Sequence, residues 1–192
     1  MKDEAHILLD GVTIDTVGEG KKNHATNHIK RSHKVANVPH NYDILVANLG
    51  RQKIGHEMEH DRKGINGDIH LDNYVVSRLQ AFCLDFNSTF LDAIDHMHAW
   101  IGFDASKFHG PKLFRTTLHV DEPEDTFISL DGWSKGVVFV NNFNLGRYNQ
   151  VGPQKTLYLP APLLRKGDNT IIIFETDKVG KAIHFVDTPV LE

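Results

Sequence analysis

With 192 residues, 40% of them hydrophobic, the chain is long enough for one large domain or two small ones around a packed core. Its 21 basic and 25 acidic residues are interspersed and leave a net charge of -4, so no single-sign field suited to nucleic acid is expected. The single cysteine, Cys83, excludes an intrachain disulfide, and no apolar stretch approaches the ~20 residues of a membrane helix.

The chain opens on Met1-Lys-Asp-Glu-Ala-His6, acidic from Asp3, and Asp10 interrupts the apolar run Ile7-Leu-Leu9. No secretion signal fits that pattern, and a reducing cytoplasm is the expected setting. Hydrophobic patterning between turn residues then predicts strands over 6–9, 12–17, 42–48, 68–71 and 74–79. Residues 18–37 are polar, basic and histidine-bearing, the composition of a mobile loop. Five strands with such a gap lack an apolar face to cover them. The expected first domain, 1–80, is therefore a partial sandwich whose N-terminal strands lie elsewhere. Ser88 is expected to cap a short helix with Leu91, Ile94, and Met97 or His98 on one face.

Seven further strands, 113–120, 126–130, 136–141, 144–148, 155–159, 170–175 and 182–187, predict a two-sheet sandwich for the second domain, 81–192. Clustered Asn141, Asn142 and Asn144 tolerate the positive φ of a tight hairpin. Pro162-Leu-Leu-Arg-Lys166 predicts one helical turn stopped by Gly167, with Asp168-Asn169 reversing the chain. The run Thr170-Ile-Ile-Ile-Phe174 is continuous rather than alternating, as in a strand buried on both faces. No internal repeat is evident. The predicted fold class is all-β, built of two β-sandwich modules.

The segment Asp125-Thr-Phe-Ile-Ser-Leu-Asp-Gly-Trp-Ser-Lys-Gly-Val-Val-Phe-Val-Asn141, with Leu145-Gly-Arg-Tyr148 and Gly152-Pro-Gln-Lys-Thr-Leu-Tyr-Leu-Pro-Ala-Pro162, resembles the C-terminal galactose-binding-like jelly roll of family thirty-five β-galactosidases. Upstream, Ala5-His-Ile-Leu-Leu-Asp-Gly11, Tyr42-Asp-Ile-Leu-Val-Ala-Asn-Leu-Gly-Arg51 and Asp61-Arg-Lys-Gly-Ile65 resemble the preceding all-β domain. The family pattern breaks at Asn149 and Leu79, where Trp is usual, and at Cys83, where Pro is usual. At buried sites, losing such an aromatic anchor costs about 3–5 kcal/mol.

The resemblance implies hydrolysis of terminal β-galactosyl residues, with retention and no cofactor, by two glutamates on a TIM barrel. No barrel is expected here, and the eight glutamates offer no pair about 5 Å apart in a sugar-sized pocket. Glu57 and Glu59 sit in a charged loop, and Glu122 and Glu124 flank Pro123 in a turn. No catalytic residue is assigned. The implied role is a non-catalytic accessory region, as a fragment or split-gene product. Its expected partner is a catalytic TIM-barrel polypeptide, or else a second copy through self-association.

Two rival readings follow from the residues themselves. His56-Glu-Met-Glu-His60 matches the HExxH zinc pattern, in which two histidines one helical turn apart bind the metal. Gly55 and Gly64 leave room for barely two turns, so no metal site is assigned at His56 and His60. His24, His28 and His33, or His96 and His98, are read as solvated loop histidines. The other rival is a free-standing galactoside-binding module, with Trp133 and Tyr148 as stacking rings and Asn142, Asn144 and Arg147 as hydrogen-bonding groups.

Overall fold

A computed structural model describes residues 3–18, 39–50, 54–71, 73–97 and 99–191. The predicted loop therefore falls, apart from Gly18, outside the described residues, as do His24, His28, His33 and His98. The chain forms two units, Met1–Ala81 and Phe82–Glu192.

In the first unit, β1 (Glu4–Leu9) pairs antiparallel with β2 (Val12–Val17) on one side and β3 (Tyr42–Ala47) on the other. Asp10 and Gly11, at φ +50° and +79°, make the two-residue turn whose twist matches a hairpin. Among the described residues the buried apolar set of this unit is small: Ala5, Leu8 and Val17. Polar groups are buried with it. Asp3 accepts the Leu49 and Gly64 N–H groups at 3.0 and 2.7 Å, and His6 Nε2 lies 3.1 Å from Glu4 Oε1. The predicted strands 68–71 and 74–79 shrink to the two-residue pair β4 (His70–Leu71) and β5 (Tyr74–Val75). Tyr74, Val75 and Leu79 are exposed, so no packed face rewards a longer ladder.

The second unit is a sandwich. One sheet holds β6 (Lys112–Val120), β8 (Lys135–Val140), β9 (Phe143–Asn149) and β11 (Gly167–Glu175) in the order β6-β11-β8-β9. The other holds β7 (Thr126–Ser129), β10 (Thr156–Leu159) and β12 (His184–Val186) in the order β10-β7-β12. Ile128, Leu157 and Leu159 from the smaller sheet meet Val138, Val140, Ile171 and Ile173 from the larger in one core. Ile172, Phe139 and Phe174 face the opposite way, where Leu91 and Ile94 of helix α1 (Ser88–Asp95) cover them together with Phe86. That second cover explains the continuous apolar run of β11: neither face meets water.

Three local expectations are corrected. Asn87, not Ser88, caps α1, its side chain accepting the Phe90 N–H at 2.9 Å; Met97 lies past the helix end and is exposed. The turn after Pro160 is a single 3-10 turn, Ala161–Leu163. Gly167 opens β11 rather than ending a helix, because the buried Asn169 carboxamide bonds Arg165 and Gly167 and holds that loop in place of a cap.

The units also share a motif that the sequence conceals. In β1-β2 and β8-β9 a six-residue strand leads into a two-residue turn at positive φ, Asp10-Gly11 in one and Asn141-Asn142 in the other. The fourth residue after the first turn residue, Ile14 or Leu145, is then an unpaired bulge. A third strand lies against the first: Leu9 pairs with Tyr42, and Val140 with Ile171. Asp10 N–H donates to the Asn41 carbonyl, and Asp10 Oδ1 accepts the Asn41 N–H at 3.0 Å. Asn141 makes the same two bonds with Thr170, the second again 3.0 Å long. The other side-chain atom of the turn residue grips the residue before, His40 in one unit and Asn169 in the other, both at 2.7 Å. The backbone repeats while the side chains making the bonds differ, which hides the repeat from sequence comparison.

Gly136 shows how tightly β8 approaches β11. A Cβ there would lie 1.8 Å from the Phe174 carbonyl oxygen, a backbone atom that cannot swing aside. Gly136→Ala is expected to destabilise the second unit by about 1–3 kcal/mol, measured as a lowered urea midpoint.

Candidate functional site

The most elaborate polar constellation lies where β11 ends. Glu175 is fully buried, and seven donors converge on its carboxylate. Oε2 accepts Ser134 N–H and Tyr148 O–H, each at 2.9 Å. Oε1 accepts Thr176 and Asp177 N–H at 2.8 Å, Ser134 Oγ–H at 3.0 Å, and Lys178 and Lys135 N–H at 3.2 and 3.3 Å. Burial first, and the Glu175 charge second, push the Tyr148 hydroxyl far above the usual phenol range, so it remains a donor at neutral pH. Every acceptor direction of the acid is occupied, and none is left for a substrate. The constellation ties the Asp131–Ser134 turn to the end of β11. Sequence reasoning missed Glu175; the available signal was an acid directly closing a continuous apolar run.

The five residues read as sugar ligands divide between core and surface, Trp133 and Tyr148 buried together and the others outside that core. Trp133 is 4% exposed, packs edge-on to Phe114 with ring centroids 5.3 Å apart, and donates Nε1–H to the Ala182 carbonyl at 2.8 Å. Tyr148 is 8% exposed and belongs to the same core. Both rings, read from the sequence as stacking platforms, fill the core of the second unit. Arg147 follows strand alternation to the opposite side of β9 from Tyr148. Asn142 sits in the hairpin turn bonded to Asp92, while Asn144 is exposed on β9. The positions of the usual tryptophans, Asn149 and Leu79, are exposed, so neither departure opens a hole within its own unit.

The histidine motif forms one 3-10 turn, His56–Glu59, followed by His60. The two-turn α-helix that would set His56 and His60 on one face is not formed. Elsewhere, His119 and Asp168 pair across β6 and β11 at 2.7 Å. The Asp168 hydrogen bond and charge raise the His119 pKa above 6.5. A raised value means that the pair's stabilisation is complete below 6.5 and is lost as pH rises through the folded value. In an NMR titration His119 should therefore turn above 6.5, and Asp168→Asn should return it toward 6.5. A shallow cleft of 460 Å³ is lined by Asp95, His96, Met97 and Trp100; its Asp95 is held by Arg115.

Fold and site together define a pair of all-β domains, the second a galactose-binding-type jelly roll whose buried acid binds its own turn. Residues 1–85 match the model of the β-galactosidase first all-β domain, and residues 111–169 that of the β-galactosidase galactose-binding domain. Human β-galactosidase-1-like protein 2 is 40% identical over 147 residues, covering 76% of this chain and 23% of the relative. Human β-galactosidase-1-like protein 3 is 33% identical over 190 residues, covering 98% and 28%. The bovine β-galactosidase is 34% identical over 175 residues, covering 77% and 26%. The chain belongs to the family thirty-five β-galactosidases, as part of their non-catalytic C-terminal region. It spans about a quarter of the length of these relatives. No helix among the described residues is long and apolar enough to cross a membrane.

Proposed function

We propose that the chain supports a separate β-galactosidase barrel, that hydrolysis of terminal β-galactosides belongs to the barrel-bearing polypeptide, and that this chain has no turnover alone. The observation that carries the reading is the engagement of Glu175: the one fully buried glutamate among the described residues is locked by seven donors, while Glu122 and Glu124 lie exposed at a turn. Exposed apolar side chains such as Leu79, Phe82, Ile101 and Phe103 supply surface for docking. The pure chain is expected to release no nitrophenol from a chromogenic β-galactoside, and to co-elute with a β-galactosidase barrel lacking its own accessory domains. Turnover by the chain alone, or a barrel that elutes separately at micromolar concentrations, contradicts the proposal.

A further inference from the structure

We infer that the outer edge of β3 is a docking edge for one more antiparallel strand, patterned like β6 and supplied by the part of the relatives' length that these 192 residues do not cover. The repeat carries the inference. β3 stands to β1 and β2 as β11 stands to β8 and β9, down to the bonds at Asp10 and Asn141. On its far side β11 is paired with β6 over nine residues, from Gly167↔Val120 to Glu175↔Lys112. On the far side of β3 no strand lies among the described residues, since its sheet ends there in the order β2-β1-β3.

The backbone sets the geometry of the vacancy. Asn41 faces Asp10 through both its N–H and its carbonyl, so by alternation residues 43 and 45 bond β1 while Tyr42, Ile44 and Val46 direct their N–H and C=O groups outward. The equivalent groups of β11, on Ile171 and Ile173, face Thr116 and Phe114 of β6. A row of this kind, unpaired among the described residues, recruits a strand by main-chain hydrogen bonds, with side-chain alternation setting the register. The occupant is accordingly an extended segment patterned as Leu113-Phe-Arg-Thr-Thr-Leu118 is, where Phe114 and Leu118, on one face of β6, pack into the core of the second unit. The chain covers about a quarter of its relatives, which leaves ample sequence to supply it. The inference rests on the repeat and not on the glycosidase reading, so either can fail without the other.

Amide hydrogen exchange on the full chain tests it. Ile44 and Val46 should exchange at least about tenfold faster than Ile171 and Ile173. Joining a second copy of the Lys112–Val120 sequence ahead of Met1 through a flexible Gly/Ser linker should slow Ile44 and Val46 by about tenfold or more. The same extension carrying Thr116→Pro in the added copy alone should not, because it lacks the central donor. Three results overturn the inference: Ile44 and Val46 as slow as Ile171 and Ile173 in the unextended chain, which means that the edge is already filled; no slowing by the added strand; or protection that rises with concentration of the unextended chain, which makes a second copy the occupant.

Discussion

Glu175→Ala is expected to cost the second unit about 4 kcal/mol or more, the largest effect of any single substitution. The reason is not the loss of one bond but the donors left behind: each buried donor without an acceptor costs about 1–3 kcal/mol, and the hydroxyls of Tyr148 and Ser134, both buried, donate to Glu175. Against a typical domain stability of about 5–15 kcal/mol, that shift leaves the unit marginal or unfolded. Glu175→Gln should recover part of the loss, since its carbonyl still accepts while its NH2 group meets other donors. Tyr148→Phe, which removes one donor from the same oxygen as Ser134 N–H, should cost only about 1–2 kcal/mol. Urea titrations followed by circular dichroism give all three values. A Glu175→Ala unfolding free energy within about 1 kcal/mol of the parent would show that the seven bonds do not carry the turn.

Trp133→Ala is expected to destabilise by about 3–5 kcal/mol, the range for removing a buried aromatic ring. The ring touches Phe114, anchors to the Ala182 carbonyl, and presses on Gly180, where an added Cβ would come within 2.3 Å of it. Gly180→Ala in the parent should therefore be costly, yet much cheaper once Trp133 is gone, and the double-mutant cycle should show a coupling above about 1 kcal/mol. The same variants separate core from ligand. In the parent, galactose at tens of millimolar should leave the Trp133 indole and Tyr148 ring signals unmoved. A saturable shift of either would restore the sugar-binding reading.

Much of the second unit was legible in the sequence. All seven strands were expected in their places, because β patterns and turn residues alternate there at short spacing and tertiary packing agrees with local preference. Leu91 and Ile94 were likewise placed on the buried face of a short helix. The first unit was less legible: two of its predicted strands are scarcely formed, since Tyr74 and Leu79 have apolar character without a face to pack on. The burial of two candidate site residues was not legible, for a physical reason. Trp133 stands just after a turn glycine and Tyr148 near a strand end, positions that read as surface; contacts far apart in sequence hold them inward, the Ala182 carbonyl and the Phe114 ring for Trp133 and the Glu175 carboxylate for Tyr148. The repeat was invisible because Asp10 with His40 and Asn141 with Asn169 make equivalent clasps from unlike side chains.

That unlikeness gives the two units different responses to acid. The Asn41 backbone bond, helped by His40, holds the Asp10 carboxyl below its usual value, so its contribution is present above about pH 4 and disappears as the medium becomes more acidic than the folded value. Asn141 and Asn169 carry carboxamides that do not titrate. On acidification the hairpin of the first unit should loosen at its turn while the matching corner of the second stays closed, so one architecture carries both a proton-sensitive and a proton-blind version of the same latch. Amide signals of Asn41 and Thr170 followed from neutrality to pH 3 compare the two directly; equal shifts in both would mean that the charge at Asp10 is immaterial to its corner.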